Sequence, residues 1–110
     1  MILLHIVIIF ISYLKKYKGK EPILAARAKA CEGDAYVGLG DYAAAVRSYK
    51  AAVDHADNIF AAGYLVKEGT AYEALGQKAE ALACYKAVIE DYPQSLEAYD
   101  VTKYIARVSE

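Results

Sequence analysis

Residues 33–52, GDAYVGLGDYAAAVRSYKAA, and residues 69–88, GTAYEALGQKAEALACYKAV, decide the fold of this chain. Set one above the other, they place Gly33, Tyr36, Gly40, Ala45 and Tyr49 over Gly69, Tyr72, Gly76, Ala81 and Tyr85, each pair 36 positions apart. A period of this size, with glycine and alanine at fixed offsets between aromatics, is the pattern of stacked helical hairpins. The small residues mark places where helices approach closely. Gly33 and Gly69 each cost about 1 kcal/mol of helix propensity relative to alanine, so their recurrence points to a packing demand. Ala45 and Ala81 stand where a larger side chain would push the second helix of a hairpin off the first. Tyr36, Tyr49, Tyr72 and Tyr85 would fill the space beside them, rings buried and hydroxyls reaching a polar edge. Leu39, Val46 and Val53, matched by Leu75, Leu82 and Ile89, add an apolar stripe at helical spacing.

Outward from these stretches the punctuation is regular. Pro22 suits a first helical turn, where its missing N–H is harmless, and opens a helix expected over residues 22–39. Gly40 is a natural left-handed stop and Asp41 a cap for the next helix, residues 42–55. The polar run Ala56-Asp57-Asn58 supplies the following cap, and the second hairpin spans residues 59–75 and 78–92 with its turn at Gly76. Pro93 ends it, because proline cannot continue the hydrogen-bond ladder from within. Ser95 and Glu97–Ala98 open a last helix reaching about Val108, whose Glu97, Asp100, Lys103 and Arg107 interleave with apolar residues as in a polar-faced cap. The fold class is all-α. Residues 1–21 form an apolar N-terminal helix and basic turn, 22–95 the two repeats, and 96–110 the capping helix.

At 110 residues and formal charge −1 the chain is one small domain without the basic excess that phosphate binding requires, which argues against nucleic acid as a partner. Cys31 and Cys84 fall at non-equivalent positions with no metal-ligand spacing and no CxxC pair, and read as small hydrophobes, buried or half-buried. His55, near a helix end beside Asp54 and Asp57, suits the C-terminal dipole. His5 has no visible partner. Nucleophile, base and acid make no triad spacing, and neither GxxxxGK[ST] nor GxGxxG occurs. No catalytic residue, metal or cofactor is expected, and the chain reads as a non-enzyme.

The first fourteen residues are apolar apart from His5 and Ser12, and Lys15, Lys16, Lys18 and Lys20 follow. As a helix they span about 21 Å, short of the roughly 30 Å hydrocarbon core, and neither a positive n-region nor a small-residue cleavage site flanks them. Three readings compete: a membrane-related segment, a truncation remnant, and a packed helix at the end of the stack. The last is preferred, since so apolar a stripe must be buried somewhere, and it includes self-association through Ile2, Ile6, Ile9, Phe10 and Tyr13. The lysines read as a solvated turn, with anionic lipid or an acidic partner as the alternative.

Both opening stretches closely resemble tetratricopeptide repeats (TPRs): Gly-x2-Tyr, a turn glycine, a small alanine, an aromatic, another small residue, then proline. The likeness runs across about Ala26 to Ser95. Pro93 matches the terminal proline, whereas Asp57 stands at its place in the first repeat. Glu32 and Glu68 replace the large apolar residue usual before the first glycine, and the period is about two residues longer than the family's roughly 34. The stretch from Tyr13 onward also resembles the end of longer bacterial TPR proteins with an N-terminal membrane anchor.

The resemblance implies a short right-handed superhelix that binds a protein or peptide on its concave face. In the family register that face carries Arg27, Ala30, Cys31, Asp34 and Val37, then Gly63, Val66, Lys67, Thr70 and Glu73. Family members that bind C-terminal carboxylates use a Lys/Asn/Arg clamp, but Ala30 and Asp34 stand here where Lys and Asn would. Arg27 and Lys67 remain candidate anchors for an acidic group through charge-assisted hydrogen bonds. The plainer reading makes both ordinary solvent-facing charges. The expectation is an interaction or assembly scaffold and a candidate homo-oligomer, its compartment unspecified by the sequence with the cytoplasm favoured. A membrane-associated TPR subunit of a bacterial envelope complex is the alternative.

Overall fold

A computed structural model describes residues 5, 6, 8, 9, 11, 12, 22–55 and 60–110. Within it five helices follow one another: α1 Pro22–Leu39, α2 Tyr42–His55, α3 Ala61–Ala74, α4 Lys78–Asp91 and α5 Leu96–Val108. No strand occurs among the described residues. Each helix packs on its sequence neighbour, and α5 also rests on α3. Among these five, α1 packs closely only against α2. The architecture is the all-α stack of helical hairpins that the repeat demands.

The two hairpin turns are the same object built twice. Gly40 and Gly76 have φ of 78° and 77°, a left-handed conformation costly for any residue with a Cβ. After α1, the Gly40 N–H donates to the Val37 carbonyl at 3.0 Å and the Asp41 N–H to that of Tyr36 at 2.9 Å. After α3, the Gly76 N–H donates to Glu73 and the Gln77 N–H to Tyr72, both at 2.9 Å. This paired closure satisfies carbonyls that a helix end would otherwise orphan. Asp41 caps α2 by accepting the Ala44 N–H at 3.1 Å, and Ser95 caps α5 by accepting that of Ala98 at 3.0 Å.

Three helix ends differ from expectation. α3 begins at Ala61, with Phe60 at its N-cap, where residue 59 was expected. α3 is helical only to Ala74, because Leu75 already belongs to the turn that Gly76 closes. α4 stops at Asp91: Tyr92 has φ −133° and ψ 56°, since the ring of the following Pro93 disfavours helical backbone in the residue before it. The suggested caps Asp57 and Asn58 lie outside the described residues, as do Ile2, Phe10, Tyr13 and the lysine run.

The core explains the small residues. A Cβ added to Gly33 would lie 2.6 Å from Cε1 of Tyr49, and one added to Gly69 2.5 Å from Cε1 of Tyr85. Each glycine is thus the seat of the tyrosine from the partner helix of its own hairpin. Ala45, Ala81 and Tyr85 are wholly buried, and Tyr49 almost so. Tyr36 and Tyr72 are half-buried against the Ala45–Tyr49–Ala71 cluster that joins α2 to α3. A larger cluster of Ala62, Leu65, Ala81, Tyr85, Val88 and Val101 joins α3, α4 and α5. The apolar stripe is less complete than its pattern: Leu75 and Ile89 are exposed, Leu75 at the turn and Ile89 in a surface hollow with Leu96 and Tyr99. The outer face of α5 is accordingly not only polar, for Leu96 and Tyr99 are among its most exposed residues.

Glu32 and Glu68 are both buried, where the family pattern would have an apolar side chain. Each has a donor at the equivalent place on the next helix. The Ser48 hydroxyl donates to Glu32 Oε1 at 3.2 Å, and the Cys84 thiol to Glu68 Oε2 at 3.3 Å. Lys29 also approaches Glu32 at 3.6 Å. A buried carboxylate is tolerable only when so partnered, and the hairpins supply a partner twice.

Candidate functional site

Among the described residues, five of the ten register positions expected on the concave face, Asp34, Val37, Val66, Lys67 and Thr70, line one groove of about 370 Å³; Arg27, Ala30, Cys31, Gly63 and Glu73 do not. Its floor and walls are Val37 from α1, Tyr42 and Tyr49 from α2, and Val66, Ala71 and Ala74 from α3. It opens because α1 and α3 stand apart, bridged by side chains instead of packed backbone. The bridge is Lys67, whose Nζ donates to Asp34 Oδ1 at 2.8 Å and Oδ2 at 3.0 Å. The Tyr49 hydroxyl donates to the same Oδ1, and the ammonium lies 5.9 Å from the centre of the Tyr49 ring. Asp34, Lys67 and Thr70, three of the proposed binding residues, therefore sit together at this groove.

Glu73 belongs to a second tie of the same kind. Arg107 on α5 grips it in a fork, Nη2 to Oε1 at 2.6 Å and Nε to Oε2 at 3.0 Å. The Tyr85 hydroxyl donates to Oε1 as well. Each hairpin thus has a tyrosine on its second helix, a carboxylate on its first, and a cation reaching back from the helix that follows. The members are not equivalent by sequence: Glu73 lies one turn beyond Thr70, the repeat mate of Asp34, and Arg107 one turn beyond Lys103, the mate of Lys67. Arg107 was invisible as a tie for that reason. Its guanidinium also lies 4.9 Å from the centre of the Tyr104 ring.

Thr70 spends its hydroxyl on the Val66 carbonyl at 2.9 Å. Cys31 is half-buried with a free thiol. Arg27 is away from the groove lining, its guanidinium 5.5 Å from the centre of the Phe60 ring. Ile6 and Ile9, one turn apart, are 55% and 67% exposed, whereas Ile11 is buried.

Titration behaviour follows from these contacts. Burial, then the bond to Asp34, pushes the Tyr49 phenol well above its ordinary value. The same two causes, with Glu73 as partner, push Tyr85 up to about 12. Arg107 holds the Glu73 carboxyl below the usual range. Burial raises Glu68, and burial followed by the neighbouring Glu68 charge raises Cys84 strongly. The Cys84 thiol is therefore a protonated donor and a poor nucleophile, since thiolate is the reactive form. Among the described residues no group of three or more His, Cys, Asp and Glu could hold a metal ion. No helix there is long and apolar enough to cross a membrane.

A stack of two-helix repeats with a side-chain-bridged groove and rigid, interlocked hairpins defines a scaffold of the helical-repeat class. Two tetratricopeptide repeat family models match the chain, one over residues 32–56 and the other over residues 64–95, together more than half of its length. The chain belongs to the tetratricopeptide repeat family, whose repeats are protein–protein interaction modules. No curated protein matches it.

Proposed function

We propose that this protein is a non-enzymatic assembly scaffold that takes a peptide or partner helix on its concave face, in the groove between α1 and α3. One observation carries the reading. Val37, Asp34, Val66, Lys67 and Thr70, far apart in sequence, line a single open hollow on hairpins whose cores are tightly interlocked. Rigid elements that hold a preformed groove lose little freedom on binding, which is how a small surface attains useful affinity. The test is comparative capture with wild type and an Ala74→Arg variant. Ala74 is exposed, so the substitution fills the groove without entering the core. A partner retained by wild type and lost by Ala74→Arg supports the concave face; a partner held equally by both removes it.

Self-association through the N-terminal segment is a second reading, favoured by the exposure of Ile6, Ile8 and Ile9. Light scattering after size exclusion tests it: a monomer at all concentrations, unchanged by Ile6→Asp or Ile9→Asp, excludes it. The same exposed row suits a membrane-associated envelope subunit. Cell fractionation separates the two, because a wholly soluble product is incompatible with anchoring.

A further inference from the structure

A second hollow, of about 220 Å³, lies between α1 and α2 and shares no lining residue with the concave groove. Glu32 and Ser48 line it, each only 5% exposed. The Ser48 hydroxyl gives its one proton to Glu32 Oε1 at 3.2 Å, so its oxygen keeps only acceptor capacity. Glu32 Oε2 is buried without a hydrogen bond. The Lys29 ammonium stands 3.6 Å from it, an ion-pair distance but too long for a hydrogen bond. Arg47 lines the hollow from α2, exposed and without a hydrogen bond or ion pair among the described residues. The fold does not demand this set. The second hairpin repeats the buried glutamate but has Leu65 and Ala83 where Lys29 and Arg47 stand 36 positions earlier.

We infer that this hollow is a binding site for a primary carboxamide, the side chain of an asparagine or glutamine presented by a partner chain. The choice follows from counting donors and acceptors. Glu32 Oε2 and Ser48 Oγ are two acceptors, and Arg47 is a free donor. A carboxamide carries two N–H donors and one carbonyl acceptor, one for each. A hydroxyl brings a single proton and leaves one acceptor unmet, which is costly when buried. A cation would meet Lys29 and Arg47, and an anion would meet the Glu32 carboxylate, like charges in both cases. Lys29, its side chain 37% exposed, swings aside on a flexible stem to admit the amide. The inference is independent of the concave-face reading.

Amide NMR of the isotope-labelled chain tests it with acetamide as the probe. Saturable shifts are expected at Glu32, Arg47 and Ser48, retained in Ala74→Arg. Arg47→Ala changes an exposed position and should weaken acetamide by about five- to tenfold, with its helices intact by circular dichroism. Glu32→Leu, which restores the apolar residue of the family pattern, should abolish the shifts. N,N-dimethylacetamide, which keeps the carbonyl but has no N–H, should leave these residues unmoved. Equal shifts from dimethylacetamide or from sodium acetate would overturn the inference, as would acetamide that never saturates, the hollow then holding only water. A blocked glutamine, N-acetyl-L-glutamine methylamide, should bind at least as well as acetamide. Binding by free L-glutamine but not by the blocked form would overturn the partner-chain source.

Discussion

Replacing Gly69 with alanine sets two effects of opposite sign against each other. Alanine gains about 1 kcal/mol of helix propensity over glycine. Its Cβ, however, would lie 2.5 Å from Cε1 and 3.0 Å from Cδ1 and Cζ of Tyr85, where carbon atoms in good contact keep about 3.5–4.0 Å. The ring has nowhere to go. Tyr85 is fully buried, its hydroxyl is held by Glu73, and its ring meets that of Tyr104 at a 45° tilt with centroids 5.6 Å apart. Overpacking of a well-filled site costs about 1–3 kcal/mol, and an overlap of about 1 Å against an immobile ring belongs at the upper end. The net expectation is a loss of about 1–2 kcal/mol.

Gly38 supplies the control, since it too lies inside a helix but an added Cβ would meet nothing within 4 Å. Gly38→Ala should therefore gain stability by up to about 1 kcal/mol. Urea unfolding followed by far-ultraviolet circular dichroism measures both, with the midpoint moving in opposite directions and the slope unchanged. On a Tyr85→Leu background the penalty at position 69 should largely vanish, because the two sites share the contact. A Gly69→Ala protein as stable as wild type, or more stable, would refute the close-approach account of the ladder.

Three further outcomes follow from the buried and tied carboxylates. Cys84→Val removes the donor to Glu68 and should destabilise by about 1–3 kcal/mol, the cost of an unpaired buried acceptor; Cys84→Ser, which keeps a donor, should lose less in the same urea titration. Glu68, raised above the ordinary glutamate value of 4.5 by burial and faced by Cys84, Lys50 and Asp54, contributes stability that is whole below that value and declines as pH rises through its folded value. Glu68→Gln should abolish this decline in urea midpoints measured across the acid-to-neutral range. Glu73 has the opposite sign: held low by Arg107, it contributes stability above 4.5 that is lost on acidification. Arg107→Met, which keeps an apolar stem over Tyr104, should flatten that acid limb, and an unchanged limb would disprove the tie.

The regular parts of the fold were legible because they depend on local chemistry. Pro22, Gly40, Asp41, Gly76, Pro93 and Ser95 act within a few residues of themselves, through a fixed φ, a left-handed turn or a short side-chain bond. Helix ends therefore fell close to where those residues put them. Leu75 and Tyr92 were exceptions, and their causes were local too: the turn that Gly76 closes and the proline after Tyr92. The roles of Glu32 and Glu68 were not legible. They break the family pattern by type, and only the positions of Ser48 and Cys84 across the hairpin show why a carboxylate survives burial. A signal was present, because both pairs recur together at the repeat spacing. Of the candidate site, the register named Asp34, Lys67 and Thr70, which line one groove, and Arg27, Cys31 and Glu73, which do not; it did not show that Asp34 and Lys67 pair.

Sequence by itself determined that glycines, alanines and tyrosines recur at 36 positions, and hence that this is a stack of helical hairpins. Local propensity and repetition are encoded along the chain. Tertiary structure alone decided which charges are free. Lys67 meets Asp34 across 33 residues and Arg107 meets Glu73 across 34, neither at the repeat's own period. Coulombic pairing depends on distance in space, and long side chains choose partners across a turn of helix that no residue count specifies. That choice pairs the groove's visible lysine with a carboxylate on the facing helix.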